Sequence, residues 1–167
     1  MELHYLSRKI LHEPLDFHNS ELNGYILIGG FADMQSVLSI AESYKGRADD
    51  LVEITIGNSD IAYEYTFPIL FLYRHSLELF LKSIYPNFKR QHSFENLIDN
   101  LKAIAQNKIP EEILNELVAR INEFKEIDNR STRFRYGNQL GEEFLVHLNQ
   151  LRQTFNEMVT IIKTLNS

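Results

Sequence analysis

The sequence predicts an all-α protein, an up-and-down bundle of five to six helices. Three observations carry this. Apolar residues recur mostly at intervals of three and four, the spacing of one helix face. Only four prolines and seven glycines punctuate the chain, few for a protein built from many short strands and turns. The run from Phe67 to Tyr85, FPILFLYRHSLELFLKSIY, is apolar on nearly every side, as expected of a helix wrapped by its neighbours.

A first helix is expected from about Ser20 to Tyr44, on the apolar series Ile28, Phe31, Met34, Leu38 and Ala41. A short second helix follows, about Ala48 to Ile56, ended by Gly57-Asn58. Part of it, Asp50 to Ile56, alternates somewhat like a strand, but it continues an amphipathic helical pattern. The next helix spans about Asp60 to Tyr85, with Ser59 or Asp60 as its cap. Pro68 inside it should kink or break it, and Pro86-Asn87 close it. A helix from His92-Ser93 to about Ala105 has Ser93 and Asn96 as candidate capping partners. Pro110 suits the first turn of another, with Glu111 and Glu112 favouring its positive end. That helix carries the stripe Ile113, Leu114, Leu117, Ile121, Phe124 and ends near Ile127. Asp128 to Asn138, DNRSTRFRYGN, reads as a polar loop, and a last helix runs from about Leu140 to Leu165. The domain organisation is then an arm over residues 1–19 and a single helical-bundle domain over 20–167.

The totals bound the function classes. A chain of 167 residues fits one domain with a substantial core. With no cysteine, disulfides, thiol catalysis and Cys-based zinc sites are excluded, and a reducing compartment, the cytoplasm, is the expected location. Seventeen basic against 23 acidic residues leave a net charge of -6, which argues against a globally basic nucleic-acid binder. Neither Leu22–Ala41 nor Phe67–Ile84 offers roughly 20 uninterrupted apolar residues, so no membrane span is expected. No signal peptide is visible in Met1 to His18.

Two polar groupings stand out. Arg74, Glu78 and Lys82 are spaced i, i+4, i+8 and share a stripe of the most apolar helix, with His75 beside it. Such a stripe is expensive unless its members are paired. The ordinary reading is internal pairing of Arg74 with Glu78 or Asp128; the alternative is a cleft for an anionic ligand. The second grouping is Asp128, Arg130, Ser131, Arg133, Arg135 and Tyr136, a locally basic stretch in an acidic protein. Arginine can hold phosphate bidentately and tyrosine can stack on a base. The bland reading of this stretch is a loop docked on buried carboxylates or carbonyls. Histidines are scattered; His92 precedes a helix and His147 is expected on the last one. No metal-ligand spacing, phosphate loop or nucleophile elbow is present, so no metal and no cofactor are expected.

Three segments carry a resemblance. Arg74-His75-Ser76-Leu77-Glu78-Leu79-Phe80-Leu81-Lys82 follows an R-H-x-x-E-L-x-L-K pattern. His92-Ser93-Phe94-Glu95-Asn96-Leu97 opens the next helix, and Phe124, Asp128, Ser131, Phe134, Arg135 and Tyr136 follow F-x-x-x-D-x-x-S-x-x-F-R-Y. In this order the chain, from about Phe67 to Tyr136, resembles HEPN-type helical domains. The resemblance implies an up-and-down bundle that forms homodimers, and a place in prokaryotic defence, abortive infection or stress response. Many such domains are metal-independent ribonucleases using an Arg and a His four to six residues apart. Here the spacing departs: Arg8 and His12 have three residues between them, Arg74 and His75 none, Arg90 and His92 one, Arg135 and His147 eleven.

The expectation is therefore a non-catalytic or divergent HEPN-like module that binds a partner protein, a nucleotide or RNA. Its ligand-binding set would be Arg74, Glu78, Lys82, His92, Asp128, Arg135 and Tyr136. The alternatives are a metal-independent endoribonuclease with an atypical site, for which His75 and His92 are the acid–base candidates, and a purely structural interaction module.

Overall fold

The computed structural model describes residues 36–58, 62–85, 93–128 and 145–166. They belong to one compact unit, Ser36–Ser167. Among them every regular element is a helix: α1 (Val37–Gly57), α2 (Ala62–Ser83), α3 (Phe94–Ala105), α4 (Glu111–Asp128) and α5 (Leu148–Thr164). No helix of the described residues is long and apolar enough to cross a membrane.

α1 corrects the expected boundaries. Ser36 has extended backbone, and its Oγ accepts the Ser39 amide N–H at 3.1 Å. A capped start there rules out one continuous helix from Ser20 to Tyr44; residues 20–35 themselves lie outside the described ones. The expected gap between Tyr44 and Ala48 is also absent, because α1 runs through Gly46. A helical glycine costs about 1 kcal/mol, and packing overrides it. Ala41, Ala48, Val52 and Thr55 form an unbroken buried face across that point, while Lys45–Asp49 and Arg47–Asp50 ion pairs bridge it outside.

α2 is the central helix, burying Ile69, Leu70, Tyr73, Leu77, Phe80, Leu81 and Ile84, and it packs on α1, α3 and α5. Pro68 does not break it. The proline removes one backbone bond near the helix start, on an exposed turn beside Phe67, where water can satisfy the orphaned carbonyl. α1 and α2 are antiparallel. Ser76 donates to the Ala41 carbonyl at 2.8 Å and Tyr73 to Asp49 at 2.6 Å, so positions rise on one helix as they fall on the other. Ala41 and Ala48, both fully buried, let the two backbones approach closely.

α3 starts where expected. Ser93 Oγ accepts the Glu95 amide, a cap worth about 1 kcal/mol; the second expected partner, Asn96, is not used by that cap. α3 ends with Asn107 in the left-handed region, φ 67°, a conformation asparagine tolerates at helix ends. α4 runs antiparallel to α3, its Lys125 reaching Glu95 at 3.0 Å. α5 begins later than expected: residues 145–147 are not helical. His147 is therefore a cap, not a helix-interior residue. Its Nδ1 accepts the Gln150 amide N–H at 3.4 Å. α5 lies antiparallel to α1, with Arg152 on Glu53 and Lys163 on Glu42. Its Phe155 is fully buried and meets the rings of Tyr73 and Phe124 at 4.7 and 6.0 Å.

Candidate functional site: a buried ion cluster at the centre of the bundle

Helical spacing stacks Arg74, Glu78 and Lys82 on successive turns of α2. Arg74 Nη1 donates to Glu78 Oε2 at 3.0 Å, and Lys82 Nζ to Glu78 Oε1 at 2.6 Å. One carboxylate thus divides its two oxygens between two cations. The fourth member comes from the end of α4. Arg74 Nε donates to the Asp128 carbonyl at 2.6 Å and lies 3.8 Å from Asp128 Oδ2. A cation here also meets the negative end of the α4 dipole. Phe94, the first residue of α3, lies under the guanidinium at 4.8 Å, within cation–π range.

Three helices therefore converge on Arg74. Its exposure is 0%, with Glu78 and Asp128 at 1% and Lys82 at 6%. Two positive and two negative side chains sum to neutrality, the condition under which burying charge is tolerable. Among the described residues no buried side-chain nitrogen or oxygen is left without a hydrogen-bond partner.

The expected pairing of Arg74 with Glu78 or Asp128 is met by both. Asp128, expected to open a loop, is instead the buried last residue of α4. His75, expected beside the stripe, turns toward α1. Adjacent helix positions differ by about 100° in direction, and His75 meets Tyr44 edge-on at 4.5 Å and stacks on Phe71 at 5.8 Å. His92, Arg130, Ser131, Arg133, Arg135 and Tyr136 lie outside the described residues.

No family model, curated protein or solved structure matches the chain.

A second network went unread in the sequence. Lys45, Asp49 and Glu53 repeat the i, i+4, i+8 spacing on α1. Lys45 pairs with Asp49 at 2.6 Å, Asp49 accepts from Tyr73, and Glu53 pairs with Arg152 of α5. Burial pushes the Tyr73 phenol far above its ordinary value of 10.0, and the bond to Asp49 and that carboxylate's charge push it the same way. The spacing was available as a signal. The expected helix break at residues 45–47 concealed it.

Proposed function

We propose that the chain is a HEPN-like helical module that binds RNA and does not cleave it. The observation behind the non-catalytic part is the burial of Arg74. A ribonuclease must present its cation to a phosphate, whereas the Arg74 guanidinium is enclosed and engaged by Glu78, Asp128 and Phe94. Glu78 and Lys82 are committed to the same cluster. On this reading the stripe is internal framework, and ligand contact belongs to Arg130, Arg133, Arg135 and Tyr136, with His92 as a further contact. Their chemistry, three arginines and an aromatic within seven residues, suits phosphate and base. The resemblance to HEPN domains adds the setting: a cytoplasmic homodimer in antiphage defence or stress response.

Filter binding and cleavage of single-stranded RNA in EDTA test this reading. The wild type should retain RNA and leave it intact. Changing Arg133 and Arg135 together to Ala should weaken retention and flatten its salt dependence, by about 0.7 in the log–log slope for each phosphate no longer neutralised. Cutting by the wild type that disappears with His92→Ala, in a variant that still folds, would replace the binding module with an atypical nuclease. Retention unchanged in the Arg133, Arg135 variant would remove the basic stretch as the RNA-binding element.

A further inference from the structure

We draw no further inference here: the strongest candidate, the apolar surface patch along the α1–α2 pair beside the Tyr44–His75 contact, where Ile40, Tyr44, Leu51 and Ile54 of α1 and Leu72 and Leu79 of α2 stay partly exposed, carries none, because nothing in the structure shows what covers it.

Discussion

Two helices of this bundle carry the same charge spacing and put it to different use. On α2, Arg74, Glu78 and Lys82 join Asp128 in an enclosed cluster. On α1, Lys45, Asp49 and Glu53 meet Tyr73 and Arg152 where water still reaches: the Lys45 and Asp49 side chains are 19% and 25% exposed, and Glu53 68%. Identical spacing does not give identical energetics. A charge on α2 that loses its partner has no solvent to turn to, whereas one on α1 does. The α2 cluster therefore locks α2, α3 and α4 together, while the α1 network trims the surface where α1, α2 and α5 meet.

The largest expected effect comes from Arg74→Ala. It strands two buried carboxylates and should cost about 3–5 kcal/mol, read from urea unfolding. A loss under about 1 kcal/mol would mean that water enters the cluster, and the contrast between the helices would collapse.

Double-mutant cycles sharpen the contrast further. Arg74 with Glu78 should show a coupling energy of roughly 1–3 kcal/mol, and Arg152 with Glu53 at most about 1 kcal/mol. The first should persist in 1 M salt and the second should fade, because salt screens exposed pairs far more than enclosed ones. Equal couplings would show that spacing, not burial, sets their strength.

Tyr73 joins the two regimes, since it is fully buried yet bonded to Asp49, which water still reaches. Tyr73→Phe should cost about 1 kcal/mol at neutral pH. The pH dependence has a definite sign. A phenol held above its unfolded value contributes stability that is complete below pH 10.0 and declines as the pH rises past it, because the unfolded chain releases the proton first. Alkaline unfolding of the wild type should therefore steepen above that point, and Tyr73→Phe should flatten it. An unchanged alkaline limb would assign the effect to other groups.

The smallest effect belongs to Arg152→Ala, at most about 1 kcal/mol in low salt. A larger loss would make the α1 network a structural lock like that of α2.

Much of the fold was legible in the residues. Apolar spacing located α2, α3 and α4 to within a few positions, and Ser93 marked a real helix start. Helical spacing placed Arg74, Glu78 and Lys82 on one stripe and pointed to the Arg74–Glu78 pair; that Lys82 shares the same carboxylate came from the structure. The errors share a cause. Gly46 and Pro68 look like breaks by local propensity, yet burial of Ala41, Ala48 and Val52 on one helix and of Ile69 and Leu70 on the other holds both continuous. His147 looks like an interior helix residue until the three positions before Leu148 prove non-helical.

The sequence by itself determined the helical class, the central place of the apolar α2 helix, and which of its charges share a stripe. Those follow from periodicity, a property of neighbours along the chain. Only the tertiary structure decided that Asp128 closes the cluster from 54 residues away, that His75 turns to Tyr44, and that Tyr73 binds Asp49. One-dimensional spacing specifies the face a side chain occupies on its own helix. Which partner meets that face depends on how separate helices pack, and that is set by the volume and fit of the whole core.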